Sequence, residues 1–155
     1  MPSSPYITPE GRAALEGELS SLWQRRGATI AALAVAAAEG DRSENAEYIY
    51  RKKELREIDR RLGYLQRQIP GLQVVHTVQS RERIYFGAWV TVEDEAGSRN
   101  SWRLVGPDEF ARHPDYISID APLARALLGK VVGDEVTVAV NNRNDSYCIL
   151  EIEYR

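Results

Sequence analysis

A chain of 155 residues with 20 Lys/Arg, 23 Asp/Glu and a net charge of −3 has room for one domain or two small ones. Residues 1–75 carry 11 Lys/Arg against 10 Asp/Glu and residues 76–155 carry 9 against 13, so neither half is the strongly basic body of a free-standing DNA binder. A single cysteine, Cys148, rules out an internal disulfide framework and a cysteine-based zinc site, and no stretch approaches the ~18 apolar residues of a membrane span, so a cytoplasmic protein without membrane contact is expected.

The first predicted element is a long helix. Thr8 can cap its exposed amides and Pro9 suits the first helical position, where its missing N–H costs nothing. The helix runs on to Glu39, where Gly40 suits the left-handed conformation that closes a helix. About 30 residues at 1.5 Å each make a rod of roughly 45 Å. Leu15, Leu19, Leu22, Ile30 and Leu33 recur at helical spacing with a gap around Arg26. The last stretch, Ala31 to Ala38, holds little bulk; either alanine serves as the best helix former, or small side chains keep this end narrow for a confined space.

A second helix is predicted from near Ser43 to Ile69, stopped by Pro70-Gly71. Leu55, Ile58, Leu62, Leu65 and Ile69 alternate steps of three and four, a coiled-coil seam. Two seams joined by a short turn read as an antiparallel helical hairpin. Gly17, Gly27 and Gly63 lie inside these helices at about 1 kcal/mol each relative to alanine, either bending the rods or letting them approach.

Beyond residue 70 the period changes. Ala88–Glu93 and Ser101–Val105 flank a turn at Glu95–Ser98, Tyr116–Ile119 reads as a strand, and Ala121–Leu128 as a short helix with Asp120 as its cap. Glu135–Val140 and Tyr147–Ile152 complete the strands, with Trp89 and Trp102 expected in the sheet core and His113 in an exposed loop. The result is an α+β unit of mostly antiparallel sheet with one helix against it.

The turn between the helices carries the chemistry. Asp41 and Glu44 have the spacing of a capping box, and acids are favoured at a helix N-terminus. They also suit a pair of exposed oxygen ligands for a hard cation. Mg²⁺ is usually held by one or two carboxylates plus waters and substrate phosphates, so two carboxylates on a bare tip would bind it weakly and need a macromolecular partner to complete the site. Between Arg51 and Arg61 six basic residues stand against three acidic ones. That run reads as a solvated face laced with i,i+4 pairs, within which Lys52 and Lys53 are the best placed to meet a polyanion.

Gly40-Asp41-Arg42-Ser43-Glu44-Asn45-Ala46-Glu47-Tyr48 resembles the signature of the bacterial transcript cleavage factors of the GreA/GreB family. Lys52–Arg61, Phe86–Val90, Val105–Glu109 and Asp115–Leu128 resemble its GreB branch, and the match runs in order along essentially the whole chain. The resemblance implies a coiled-coil hairpin over residues 1–70 with an acidic tip at 40–45, a linker at 71–76 and an FKBP-like docking domain over 77–155. It implies a monomer that binds bacterial RNA polymerase, inserts the coiled coil into the secondary channel and stimulates the polymerase's own cleavage of backtracked RNA. Asp41 and Glu44 then help hold a Mg²⁺ shared with the polymerase active centre, with none tightly bound to the free protein. Ser43 and Asn45 support the water or the RNA, and Arg42, Lys52 and Lys53 contact the RNA, including its extruded 3′ end. Ile119, Asp120, Ala121 and Pro122 meet the channel rim, with Ala121 where many relatives carry serine. The Asn141–Asp145 run departs from the turn expected of the family. Two other readings are a channel-plugging inhibitor, against which both tip acids argue, and a prolyl isomerase or chaperone, which rests on fold alone.

Overall fold

The computed structural model describes residues 3–39, 45–76 and 80–155. The chain divides into two compact units, Arg12–Leu72 and Met1–Gly11 with Gln73–Arg155.

The first unit is a helical hairpin. Helix α1 spans Pro9–Ala38 and helix α2 spans Ala46–Gln68, followed by a tight turn of 3₁₀ helix at Ile69–Gly71. As numbering rises along α1 it falls along α2 in each cross-link. Glu18 accepts both arms of Arg61 at 2.7 and 2.9 Å, Arg26 donates to Asp59 at 2.6 Å, and the Thr29 hydroxyl donates to Glu54 at 2.7 Å. The helices are therefore antiparallel. Leu15, Leu22, Thr29 and Ala36 are all buried and stand seven residues apart, the repeat of a coiled-coil seam. Facing them on α2 are Ile58, Leu62 and Leu65, with Ile69 just beyond.

Two sequence expectations change here. Ile30, read as a seam residue, is 42% exposed, and its neighbour Thr29 is 3% exposed. A seven-residue step from Leu22 lands on Thr29, whose hydroxyl is satisfied by Glu54. The gap around Arg26 is a polar stretch of the same seam, with Arg26 paired to Asp59. The second correction concerns the start of α2. It begins at Ala46 rather than near Ser43, because Asn45 is the cap: its backbone is extended (φ −82, ψ 102) and its side chain accepts the Tyr48 N–H at 3.1 Å. The glycines serve no close approach of the two helices. A Cβ at Gly17 or Gly27 would meet nothing within 4 Å, and one at Gly63 would meet only the end of the Arg67 side chain.

The second unit holds two sheets. Strands β1 (Tyr6–Ile7) and β2 (Gln73–Val74) form a short parallel pair, while β3 (Trp89–Asp94), β4 (Arg99–Val105), β5 (Tyr116–Ser118), β6 (Glu135–Val140) and β7 (Arg143–Glu153) form a five-stranded sheet ordered β5-β4-β3-β7-β6. Within the five-stranded sheet only the β4–β5 pairing is parallel. A shift of register between Thr91 and Val92 against β7 marks a bulge, which strengthens twist and curl. Helix α3 (Pro122–Leu127) contributes Ala124 and Leu127 to the core, which one sheet face supplies with Val90, Val92, Leu104 and Ile149. Trp102 packs partly against that core. Trp89 does not. It faces the other way and meets His113 and Tyr116 edge-on, with the Arg155 guanidinium 4.4 Å from its ring centroid. The Asn141–Asn142 pair takes positive φ angles of 52° and 62°, the conformation that joins two antiparallel strands in a two-residue turn. The Asn141–Asp145 run thus begins as a tight two-residue hairpin, with Val140 paired to Arg143.

Candidate functional site

Three features of the two units bear on function: the end of the hairpin, the basic side of α2, and the loop that leads into α3.

The end of the hairpin is closed from its flanks. The Asn45 amide donates to the Ala36 carbonyl at 2.7 Å while its oxygen accepts the Tyr48 N–H. One side chain thus caps α2 and ties its start to the last turn of α1. Asp41, Arg42, Ser43 and Glu44 lie outside the described residues. Because Asn45 is the cap and the Tyr48 amide is its partner, a capping box with Asp41 as the cap and Glu44 as its third residue is not the way α2 starts. Among the described residues, no group of three or more His, Cys, Asp or Glu side chains could hold a metal ion.

Just past the cap, Arg51 donates to Glu47 at 2.8 Å and to Glu54 at 3.3 Å. Glu47, first among the causes, raises the guanidinium pKa above its ordinary value. Glu54 is held below the ordinary carboxylate range, first by the Thr29 hydroxyl and then, against the opposing effect of desolvation, by Arg51 and Arg25. Arg51 is therefore committed to its own helix. Lys52 and Lys53 are exposed, and the Lys52 ammonium sits 5.8 Å from the Tyr48 ring centroid. The spacing of α2 leaves both lysines off the seam, where a polyanion can reach them.

In the α3 loop, Ile119 is buried in the sheet core and so holds the loop from beneath. Asp120 does not cap the helix. The cap position belongs to Ala121, which makes no side-chain cap bond, and Pro122 opens the helix. The Asp120 carboxylate instead accepts the Ser4 backbone N–H at 2.9 Å and the Ser4 hydroxyl. Those bonds, the hydroxyl first, hold its pKa below the ordinary value, with Arg125 adding a smaller pull. Ser4 stands 116 residues away, and no local pattern pointed to it. Glu109 was also missed as a buried acid, although it closes the Val105–Glu109 segment. His113 is exposed as expected, yet its ring stacks on Tyr116 at 4.9 Å.

Residues 5–74 match the family model described as transcription elongation factor, N-terminal, and residues 79–154 match transcription elongation factor, GreA/GreB, C-term. The transcription elongation factor GreB of Yersinia pestis is 53% identical over 100% of this chain and 92% of its own length. That of Pseudomonas aeruginosa is 51% identical over 97% and 91%. Among solved structures, that of the transcription factor Gfh1 aligns over 98% of this chain and 99% of its own at 24% identity, with a TM-score of 0.48. No described helix is long and apolar enough to cross a membrane. With one half of the chain matching each of the two family models, and full-length relatives at about half identity, the protein belongs to the GreA/GreB family of transcription elongation factors.

Proposed function

We infer that the protein acts as a GreB-type factor: it binds bacterial RNA polymerase and stimulates cleavage of the transcript by the polymerase's own active centre, without catalysing the reaction alone. The observation that carries the site assignment is Asn45. It fills the cap of α2, so the acids that precede it are not needed to start that helix.

In this reading the hairpin enters the secondary channel and presents Asp41 and Glu44 beside the extruded RNA 3′ end. These are the residues that would share a Mg²⁺ with the polymerase. Their hard oxygen donors suit that ion, and two carboxylates hold it weakly unless other ligands join. When bound there, the ion orients and activates water and stabilises the attacking and leaving oxygens of phosphodiester hydrolysis. Arg42, Lys52 and Lys53 hold RNA phosphates, and Ser43 lies among the residues that position the water. Asn45 contributes by closing the hairpin end. Docking falls to Asp120, Ala121 and Pro122 at the channel rim, supported by the buried Ile119. The protein acts as a monomer in the cytoplasm.

The test is a halted, backtracked polymerase complex with radiolabelled RNA. Added protein is expected to shorten the transcript, leave an extendable 3′ hydroxyl and restore elongation. Slowed nucleotide addition with no shortening would identify a plug of the channel instead.

A further inference from the structure

The loop into α3 has a fixed backbone and one side chain that depends on a distant residue. Ile119 is buried, and its N–H donates to the Val105 carbonyl at 2.7 Å. The Asp120 N–H donates to the Ser118 hydroxyl at 3.1 Å, and the Ala121 N–H to the Ser118 carbonyl at 2.9 Å. These bonds set the main chain at Asp120 but leave its half-buried carboxylate without a partner on its own loop. Among the described residues, its hydrogen bonds all come from Ser4. One oxygen accepts the Ser4 N–H at 2.9 Å and the other accepts the Ser4 hydroxyl.

Ser4 stands on a fixed support of its own, two residues ahead of β1. The Gln73 N–H donates to the Pro5 carbonyl at 2.8 Å and the Val75 N–H to the Ile7 carbonyl at 3.0 Å. Tyr6 and Ile7 pair with Gln73 and Val74, Ile7 is fully buried, and the Thr8 N–H donates to the buried Glu109 at 2.8 Å. All of these residues lie in the same compact unit as Asp120. Two donors on an anchored segment therefore meet two oxygens on an anchored loop. A carboxylate held at both oxygens cannot swing about its side-chain bonds. Ser4 uses two of its roughly four lone-pair sites, which leaves acceptor capacity for a partner.

We propose that Ser4 is a positioning residue for docking: it holds the Asp120 carboxylate in one orientation, with its remaining acceptor sites open to N–H donors of the polymerase. This rests on the function inferred above, in which Asp120 docks at the channel rim. It names the chemistry of the partner at that contact, a cationic or amide N–H group, and adds to the docking apparatus a residue 116 positions away in the chain. A side chain ordered before binding spares the complex the entropy of ordering it.

Ser4→Ala removes the hydroxyl and Ser4→Thr keeps it. Full-length variants, each shown folded by circular dichroism, compete with fluorescently labelled parent for polymerase. Ser4→Ala is expected to weaken binding about fivefold, the scale of ordering one side chain in a complex. Ser4→Thr should bind as the parent does. Asp120→Ala removes the group that Ser4 orients, so adding Ser4→Ala to it should cost nothing further, the non-additivity of two residues that act through one contact. A purely structural role for Ser4 would instead give the same loss in both backgrounds. That result, or parental affinity for Ser4→Ala, would overturn the proposal. If the parent does not bind polymerase, or Asp120→Ala binds as tightly as the parent, the docking assignment itself fails and takes the role of Ser4 with it. The hold on the carboxylate is then read without polymerase, from the Asp120 β-proton couplings in the free protein. They should report one rotamer in the parent and Ser4→Thr and averaging in Ser4→Ala; equal couplings in parent and Ser4→Ala would show that Ser4 orients nothing.

Discussion

At the scale of single residues, the described site depends on bonds between distant parts of the chain. Asp120 shows the consequence for pH. The Ser4 hydroxyl and N–H hold its pKa below 3.8. A carboxyl depressed in the folded state adds stability that is fully present above its unfolded value and is lost as pH falls through the folded one. The contribution of Asp120 thus disappears only below about pH 3.8. Ser4→Ala removes the first-named cause, so the Asp120 titration should move up toward 3.8. Carboxyl-carbon NMR titration of parent and variant measures this; an unmoved Asp120 would mean that Ser4 does not engage it in solution. The same substitution frees one side of the carboxylate proposed to dock on polymerase, and Asp120→Arg should weaken docking in a way that high protein concentration partly overcomes. Thr8 as a cap was legible in the sequence because a cap and its amide are three residues apart. Ser4 with Asp120 and Thr8 with Glu109 were not, because separations of 116 and 101 residues leave no local pattern.

At the scale of elements, α2 was readable and α1 only partly so. The α2 seam is written in Leu and Ile, whose apolar steps of three and four leave no second reading. In α1 the same geometry uses Arg26 and Thr29, which pair with Asp59 and Glu54, so hydrophobicity alone points to Ile30 instead. Trp89 misled for a related reason. Strand alternation puts Val90 and Val92 inward, so Trp89 belongs to the outer face whatever its apolar area. The glycines give a prediction at this scale. Gly17 and Gly27 face open space, so Gly17→Ala and Gly27→Ala should each stabilise the hairpin by about 1 kcal/mol through backbone entropy and helix propensity. Urea melts followed by helix ellipticity measure it. A loss of stability in either variant would contradict the open space at that glycine.

At the scale of the whole molecule, docking and chemistry are proposed to belong to different units, with the exposed Lys52 and Lys53 on the unit that carries the hairpin end. Lys52→Glu with Lys53→Glu should impair rescue of long-backtracked complexes more than short ones, because only long extruded RNA brings phosphates along that side of α2. Cleavage measured against backtrack length tests this, and equal loss at every length would assign these lysines to general docking. The two tip acids carry the central claim. The most direct measurement compares the parent with the Asp41→Asn, Glu44→Gln double variant on one halted, backtracked complex, recording cleavage rate at saturation and occupancy by competition with labelled parent. The double variant is expected to compete within about twofold of the parent and to lose at least roughly 100-fold in stimulated cleavage, the outcome when groups that act only in the reaction are removed. Cleavage by the double variant at the parental rate would contradict it.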